Sequence, residues 1–588
     1  MKGFYGRILK VNLNDQSFAI ESCEEKLYTN YLGGKGLASY LLKRDNPKGV
    51  NPIDPNNHLI FSTGPLTGNP IWGGCRYGVF TKSPLTGFYS ESYAGGKVPE
   101  AIDAVGFDAI VIRGCCTHPT VLSIHPGGVE FHHAADLWGK DTYQTEDIVH
   151  ERFAVQGNNY TKKGAVVIGP AGENLVNFAV IENDYWRSAG RTGVGTVMGS
   201  KRLKAVMFQG DRRRELYDEK AVLAFSKDMA EASRENAGVK AYKAMGTAQM
   251  VKIVNQANAF PTRYWSQGHF DQWEKISADA LHSQCRVKPS ACPKCFMSCG
   301  RRTTVLQGRH AGLTLEGPEY ETIYAFGGLC LIDSIEEIIY LNDICDRLGM
   351  DTITAGNLCA FTIEAARRGK IHYKIDYGDV DTIAELLMKI AAKEDIGAIL
   401  AGGIRVAAKA WGLEDIAIHV KGLEPAGFDP RVFKGMGLGY ATSDRGACHL
   451  RATFYKAELC GVIKPEQIEG KAEIFLDYEN RLLLFDTLIL CRFFRDLYTW
   501  ENLEKIIHAV TGMETSKDFL WRMAMNIADL IRRFNLQEGL RREDDQLPKG
   551  LHTPLLDSGR TVTEDEMEFM VKEYYRLHGW SETGEPAL

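Results

Sequence analysis

Three cysteines that stand close together constrain this chain more than any other sequence feature. They are Cys292, Cys295 and Cys299, in a C-x2-C-x3-C array. Three soft sulfur ligands at this spacing suit zinc or an iron–sulfur cluster. A [4Fe-4S] cluster requires one further thiolate, and three unrelated buried cysteines are the remaining interpretation because cysteine packs as a small hydrophobe. The array predicts a metal centre whose last ligand lies elsewhere in the chain.

Chain length, net charge and cysteine content restrict the class of protein. With 588 residues the chain exceeds a single hydrophobic core, so several domains are expected. A net charge of −6 gives no basic footprint for nucleic acid. We expect no membrane span and no signal peptide, because apolar runs of the required length are missing from the sequence. The 14 cysteines are spread along the chain and do not form the dense disulfide pattern of a small secreted domain. This favours a reducing, cytoplasmic location.

The hydrophobic pattern changes along the chain and predicts an α+β fold. Gly6–Leu13 and Ser17–Ile20 alternate as a β-hairpin, and further short apolar runs continue to about residue 210. After that point helical periodicity dominates and little strand signal returns. We therefore expect a β-rich domain over residues 1–210 and two α-rich domains over residues 211–415 and 416–588.

Two glycine-rich stretches with arginines are candidates for phosphate binding. One is Arg187–Lys201, and the other combines Gly73–Gly78 with Tyr93–Gly96. Glycine lets backbone N–H groups approach anionic oxygens, while arginine supplies a forked donor. The spacing differs from both dinucleotide-binding and P-loop fingerprints. The two stretches predict a large phosphorylated cofactor, with glycine-rich turns in a β domain as the alternative.

Two loops of matched form follow helices. They are Asp346–Asp351 and Asp486–Cys491. An aspartate at such a place can accept hydrogen bonds from a pterin-like ring, although each loop alone is typical of an ordinary helix terminus. Because the second loop ends in a cysteine, we interpret Cys491 as the fourth cluster ligand.

Candidates for proton transfer lie in two short motifs. These are Tyr320-Glu321 and Cys448-His449. A glutamate and a histidine beside a metal can move protons to and from a substrate oxygen. The alternative is that the glutamates in this segment cap a helix or face solvent and that the histidine has a structural role.

The chain resembles the tungsten-dependent aldehyde ferredoxin oxidoreductases over nearly its whole length. The resemblance is carried by several long motifs in the family's order: Gly64–Gly68, Thr81–Phe88, Gly169–Leu175, Gly195–Lys201, Glu316–Glu321, Gly437–Thr442 and Tyr574–Trp580. It implies a β-rich base carrying a bis-pyranopterin tungsten cofactor, with two α-rich domains. Molybdenum is the less favoured metal.

The resemblance also implies site residues. Cluster ligands would be Cys292, Cys295, Cys299 and Cys491. Glu321, His449 and Tyr320 match the residues on the metal's substrate side and are the expected catalytic residues. The backbone carbonyls of Tyr93 and Ser188 match the positions that hold Mg²⁺. The positions matching cofactor-binding residues are Arg76, Tyr93, Gly95, Gly96, Arg187, Ser188, Asp346, Asp351, Arg451, Asp486 and Leu490.

Three departures from the family pattern are visible. Ile489 replaces a glycine before Leu490, which puts a positive-φ turn there in doubt. Tyr340–Asp343 lacks the Glu-x-x-His of a branch with a bridging iron, so we expect no such iron. Arg451 replaces a lysine, which retains the charge but changes the donor geometry.

From the resemblance we expect oxidation of aldehydes to carboxylic acids, with electrons leaving through the cluster. The expected acceptor is ferredoxin or a polyferredoxin subunit, and a homodimer or hetero-oligomer is possible. The same scaffold also supports reactions of 2-hydroxycarboxylates or aromatic acyl-CoA. A zinc-stabilised interaction protein is the remote alternative.

Overall fold

The computed structural model describes residues 1–155 and 160–587. Over these ranges, the chain divides into two compact units. The first unit is Met1–Lys240, Ala291–Met297 and Asn480–Glu538. The second is Ala241–Ser290, Ser298–Glu479 and Gly539–Leu588. The predicted boundaries near residues 211 and 415 stay a prediction.

Two mixed sheets form the body of the first unit. Sheet one has the order β2-β1-β6-β3-β4-β5, with β1 and β6 parallel and the other pairs antiparallel. Its strands are β1 (Arg7–Asn12), β2 (Ser17–Ser22), β3 (Leu59–Ser62), β4 (Tyr77–Lys82), β5 (Tyr89–Ala94) and β6 (Ala109–Arg113). The predicted hairpin is confirmed, because Asn12 pairs with Ser17 in an antiparallel register.

Sheet two has the order β11-β10-β9-β12-β7-β8, with β7 and β12 parallel. Its strands are β7 (Thr120–His125), β8 (Gly128–His133), β9 (Lys162–Val167), β10 (Ile181–Asn183), β11 (Arg187–Ala189) and β12 (Leu203–Gly210). One apolar core joins side chains of both sheets, including Phe61, Val79, Ile110, Leu122 and Phe208. Burial of these side chains is the main stabilising contribution here.

Most of the remaining regular secondary structure is helical. In the first 260 residues they are α1 (Glu25–Tyr31), α2 (Gly34–Asp45), α3 (Val98–Ala104), α4 (Thr142–Arg152), α5 (Pro170–Glu173), α6 (Val194–Ser200), α7 (Glu219–Ser233), α8 (Ala237–Met245) and α9 (Met250–Gln256). Further on they are α10 (Ala278–Gln284), α11 (Tyr320–Ile323), α12 (Ile335–Leu348), α13 (Thr352–Arg367), α14 (Val380–Ala392), α15 (Gly397–Leu400), α16 (Ile404–Trp411), α17 (Lys434–Thr442), α18 (Tyr455–Leu459), α19 (Lys471–Leu488), α20 (Trp500–Thr511), α21 (Lys517–Gln537) and α22 (Glu564–His578). The predicted α+β class is confirmed.

The second unit also contains strands that the sequence pattern did not predict. A three-stranded antiparallel sheet has the order β13-β14-β15. Its strands are β13 (Cys285–Ser290), β14 (Gly300–Val305) and β15 (Thr314–Glu316). The expectation of little strand structure after residue 210 was wrong here, because Arg286, Lys288 and Arg302 make these strands too polar to show an apolar alternation.

None of the helices in the described ranges has both the length and the apolar character needed to cross a bilayer.

Candidate functional site

The cysteine array occupies the connection between β13 and β14. Ser290 at the end of β13 pairs with Gly300 at the start of β14, so the intervening residues form a closed loop. Cys292 and Cys295 lie in the part of this loop that belongs to the first unit, and Cys299 lies in the second unit. All three are half-buried.

Cys491 lies beside Arg76 in the first unit. The Nη1 of Arg76 is 3.8 Å from the Sγ of Cys491, and its Nη2 donates to the carbonyl of Tyr93 at 3.0 Å. The backbone N–H of Cys491 donates to the carbonyl of Gly73 at 2.8 Å. Burial raises the pKa of the Cys491 thiol, and the Arg76 charge opposes that rise. The side chain of Arg76 therefore links Cys491 with the end of β5.

Gly95 and Gly96 both lie against the sulfur of Cys292. The N–H of Gly96 donates to the Sγ of Cys292 at 3.2 Å. A Cβ at Gly95 would stand 2.8 Å from the same sulfur, closer than real Cβ contacts. A hydrogen bond from Cys75 lowers the pKa of Cys292, and so do the charges of Arg187 and Arg76 and the Gly96 N–H, against the effect of burial. Cys292 is thereby favoured as a thiolate, the form that binds metals.

Cys75 is a further buried sulfur at this place. Its side chain is in hydrogen-bond contact with the sulfurs of Cys292 and Cys295. These hydrogen bonds, followed by burial, raise the pKa of Cys75 well above its usual range. Cys75 lies within the glycine-rich stretch Gly73–Gly78, and no role was predicted for its thiol.

Arg187 and Ser188 begin the short strand β11, where Arg187 pairs with Asn183 of β10. The hydroxyl of Ser188 donates to Glu182, with both carboxylate oxygens at 2.9 Å. Burial raises the pKa of Glu182 to about 8, although the Ser188 hydrogen bond opposes it. The position of Arg187 is close enough to Cys292 for its charge to favour the thiolate.

The two matched loops have the same backbone form. Gly349 has φ = 75° and Ile489, at the corresponding position, has φ = 63°. Met350 N–H donates to the Cys345 carbonyl at 2.9 Å, and Leu490 N–H donates to the Phe485 carbonyl at 2.7 Å. The doubt about a positive-φ turn at Ile489 was wrong. Burial of the Ile489 side chain, which is 1% exposed, offsets the backbone strain.

The predicted aspartates each have a protein partner. Asp346 accepts from Asn342 Nδ2 at 2.7 Å, and Asp486 pairs with Arg492. Asp351 caps α13 by accepting from the Ile353 N–H at 3.1 Å, which is a structural role in itself. In the second unit, Arg451 lies 3.8 Å from Asp444.

Glu321 and His449 come together within the second unit. Glu321 Oε1 is 3.6 Å from His449 Nε2, and Oε2 accepts from the backbone N–H of Gly427 at 2.9 Å. The separation from His449 is longer than a direct hydrogen bond. The two side chains are 19% and 15% exposed, so both are largely but not completely buried.

Aromatic side chains surround this pair. The ring of Phe428 lies 6.2 Å from that of His449 and 5.2 Å from that of Tyr320, and it stacks on Tyr455 at 3.9 Å. The hydroxyl of Tyr320 donates to the carbonyl of Gly427. Tyr320 and Glu321 thus bind the two backbone groups of one residue, Gly427.

The arrangement fits a thiolate-bound cluster and a phosphate-bearing cofactor by the chemistry of its donors. In residues 1–155 and 160–587, no three His, Cys, Asp or Glu side chains converge at metal-binding spacing. Cys292 and Cys491 nevertheless both interact with Cys75 and with Arg76, and Cys295 interacts with Cys75. The space that a Cβ at Gly95 would fill is kept open for sulfur.

Sequence reasoning missed three contributors to these sites. They are the Cys75 thiol, the Gly427 N–H and the Arg492 guanidinium. The position of Cys75 next to Arg76 was an available signal. The other two depend on tertiary contacts that have no motif.

Comparison with known proteins gives a consistent result. A family model described as aldehyde ferredoxin oxidoreductase, N-terminal domain, matches residues 8–210. One described as aldehyde ferredoxin oxidoreductase, domains 2 and 3, matches residues 224–588.

Curated relatives extend over nearly the full length. The chain is 33% identical over 602 residues to the tungsten-containing aldehyde ferredoxin oxidoreductase of Pyrococcus furiosus, covering 99% of this chain and 97% of the relative. It is 35% identical over 605 residues to the protein of that name from Pyrococcus abyssi, with the same coverage. An aliphatic sulfonate oxidoreductase, WOR-like subunit, of Pyrococcus furiosus is 29% identical, covering 100% of this chain and 96% of the relative.

A solved structure shares the fold. It is the active site complex BamBC of benzoyl coenzyme A reductase with 1,5-dienoyl-CoA, at a TM-score of 0.85 and 24% identity, covering all of this chain and 96% of that one. The full-length relatives are oxidoreductases, and this protein is a redox enzyme. More narrowly, the chain belongs to the aldehyde ferredoxin oxidoreductase family.

Proposed function

We propose that this enzyme oxidises aldehydes to carboxylic acids with a tungsten bis-pyranopterin cofactor. The observation that carries the proposal is the Glu321–His449 pair, at 3.6 Å, with Glu321 held by the Gly427 N–H. Relatives with tungsten and aldehyde in their names support the choice of metal and substrate. The net reaction converts aldehyde and water into carboxylic acid, two protons and two electrons.

The cofactor-binding residues are proposed from the resemblance to the family. They are Arg76, Gly95, Gly96, Arg187, Ser188, Asp346, Asp351, Arg451, Asp486 and Leu490. Tyr93 and Ser188 carbonyls would bind Mg²⁺; a carbonyl has two lone pairs, so Tyr93 can also accept from Arg76. When bound, the cofactor would supply the acceptor for the two electrons, a division of work usual for cofactor enzymes.

The chain's own residues would handle protons and orientation. Glu321 would accept a proton from the hydrated aldehyde. Its role is supported by the 3.6 Å between its Oε1 and His449 Nε2 and by the Gly427 N–H that holds its Oε2. His449 would donate a hydrogen bond to the substrate oxygen and polarise it. Tyr320 uses its hydroxyl on Gly427, so we assign it to positioning Glu321 and not to substrate contact.

Electrons would leave through a [4Fe-4S] cluster bound by Cys292, Cys295, Cys299 and Cys491. Arg76 supports this route because it contacts both Cys491 and the Tyr93 carbonyl. A one-electron carrier such as ferredoxin or a polyferredoxin subunit is the proposed acceptor, in the cytoplasm.

Metal analysis of anaerobically purified protein tests the proposal. We expect tungsten and about four irons per chain, as one cubane cluster requires. Zinc without tungsten or iron would overturn it in favour of a structural zinc site. A viologen-linked assay should then show aldehyde oxidation, and activity confined to 2-hydroxycarboxylates, sulfonates or aromatic acyl-CoA would contradict the assigned substrate class.

A further inference from the structure

We propose that one face of the sheet β13–β15 is the docking surface for an acidic one-electron carrier protein. This inference rests on the proposed function and adds to it the place where the carrier binds. The face is formed by Arg286, Lys288, Arg302, Thr304 and Thr314, which together line a pocket of about 410 Å³. These five residues are called the basic sheet face.

The strand register gathers the three cations of this face. Lys288 of β13 lies directly opposite Arg302 of β14, and Arg286 lies opposite Thr304. Thr304 in turn lies opposite Thr314 of β15, with 2.9 Å between the two hydroxyl oxygens. Alternate residues of a strand share one face, so Arg286 and Lys288 point to the same side. All three basic side chains are exposed.

The sheet itself supplies little negative charge to balance these cations. Glu316 is the one acidic residue of the three strands. It lies opposite Arg302 on the β15 side, and it also accepts a hydrogen bond from the Ser290 hydroxyl at 3.2 Å. Like charges directly opposite each other destabilise a sheet, so the Lys288–Arg302 pairing has a cost that an anionic partner would offset.

The basic sheet face continues into the cysteine array. Cys299 directly precedes Gly300, where β14 begins. Arg302 lies two residues further along β14, which is about 7 Å at the rise of a β-strand. Cys299 and all five residues of the face belong to the second unit. A carrier bound on this face would therefore lie close to a proposed ligand of the cluster.

Charge complementarity identifies the occupant as an acidic protein. The chain as a whole has a net charge of −6, so an acidic carrier is repelled overall and needs a local basic surface to bind productively. Clustered charges of this kind steer association and lose their effect as salt is added. Each encounter would transfer one electron from the reduced cluster to the oxidised carrier, so two encounters would remove the two electrons of one aldehyde.

The test compares a protein carrier with a small one. Arg286→Glu, Lys288→Glu and Arg302→Glu are combined in one variant of the holoenzyme, and a small acidic ferredoxin is the probe. We expect kcat/KM for ferredoxin at low ionic strength to fall at least about tenfold, and the loss to shrink as salt is added. Methyl viologen needs no protein docking surface and should be reduced at the wild-type rate. Ferredoxin affinity, measured by biolayer interferometry, should fall together with kcat/KM.

Two further variants complete the experiment. Glutamine at the same three positions removes the charge without reversing it and should give a smaller loss in the same direction. The matched control combines Lys370→Glu, Lys374→Glu and Lys409→Glu. These lysines are exposed, belong to the second unit and lie outside the basic sheet face, so the change in net charge is identical. The control should keep ferredoxin affinity near that of the wild type.

Each outcome has a defined meaning. Loss of ferredoxin binding and of ferredoxin-linked turnover in the basic-face variants alone supports the proposal. Equal losses in the control would overturn it, because net charge and not this face would then be responsible. Wild-type ferredoxin affinity in the basic-face variants would also overturn it, as would a parallel loss of viologen turnover in the glutamine variant. Wild-type protein that binds ferredoxin through this face but oxidises no aldehyde would refute the proposed function and leave the docking surface standing.

Discussion

Glu321 has one carboxylate oxygen committed to the protein and the other directed at His449. The Gly427 N–H donates to Oε2 at 2.9 Å, and the Tyr320 hydroxyl donates to the carbonyl of the same residue. A base held in this way loses little conformational entropy when it accepts a proton. The backbone of one glycine thus sets the geometry of the proposed base.

Replacing Glu321 by glutamine should lower turnover with little structural change. The amide keeps the shape of the side chain but cannot act as a base, and we expect a loss of at least about a hundredfold in kcat, within the usual range for general base catalysis. Tungsten and iron contents should equal those of the wild type. Steady-state kinetics with a viologen acceptor and metal analysis provide the measurements.

Glu319→Gln is the matched control for this change. Glu319 is two residues away and accepts from the Thr247 hydroxyl, outside the Glu321–His449 pair. The Glu319→Gln variant should keep most of the wild-type activity. Wild-type turnover in Glu321→Gln would remove Glu321 from the mechanism.

His58 should make stability fall as the pH is lowered. Burial, with a further contribution from Lys201, lowers the pKa of His58 from 6.5 to about 4. Between these values the unfolded chain binds a proton that the folded chain does not, so stability is lost as pH falls. At pH 5 this amounts to about 2 kcal/mol for such a shift.

The variant His58→Gln removes this titration. Its melting temperature should therefore drop less between pH 7.5 and pH 5.0 than that of the wild type. His282→Gln changes an exposed histidine and should keep the wild-type drop. Equal drops in His58→Gln and the wild type would show that another group carries the pH dependence.

At the scale of elements, regular periodicity was predictable and polar or strained elements were not. The hairpin β1–β2 and helices such as α12 have alternation or 3.6-residue periodicity in their own sequence. β13 and β14 have basic side chains on their exposed face, so their sequences show no apolar alternation. They are recognisable as strands only from their antiparallel pairing, in which Ser290 lies opposite Gly300. Local sequence contains no information about that pairing.

In the matched loops, too, one backbone conformation could not be predicted from local sequence. Their aspartates and the Cys491 position could be read from the motif, but the left-handed backbone at Ile489 could not, since a β-branched residue disfavours it. The turn is maintained by tertiary contacts: a Cβ at Gly34 would be 2.9 Å from Ile489 Cδ1, and one at Gly64 would be 3.1 Å from its Cγ1. Close packing around the side chain thus determines the backbone conformation.

At the scale of the molecule, the first unit is assembled from three separate chain segments. Ala291–Met297 and Asn480–Glu538 join the β-rich segment Met1–Lys240. Cys292 and Cys295 lie in one of the added segments, Cys491 lies in the other, and Arg76 lies in the β-rich segment. A cluster bound to these cysteines would cross-link parts of the chain that are about 200 residues apart.

Removing the cluster should therefore destabilise the first unit. A group that binds the folded state but not the unfolded state stabilises the fold in proportion to the logarithm of its concentration relative to its Kd, and that contribution disappears with the group. We expect protein stripped of iron under anaerobic conditions to melt at a lower temperature than mock-treated protein. Limited proteolysis should cut it first within 291–297 and 480–538, with Cys491→Ala giving the same pattern without stripping. Identical melting temperatures and cleavage patterns for stripped and mock-treated protein would contradict a cluster that joins these segments.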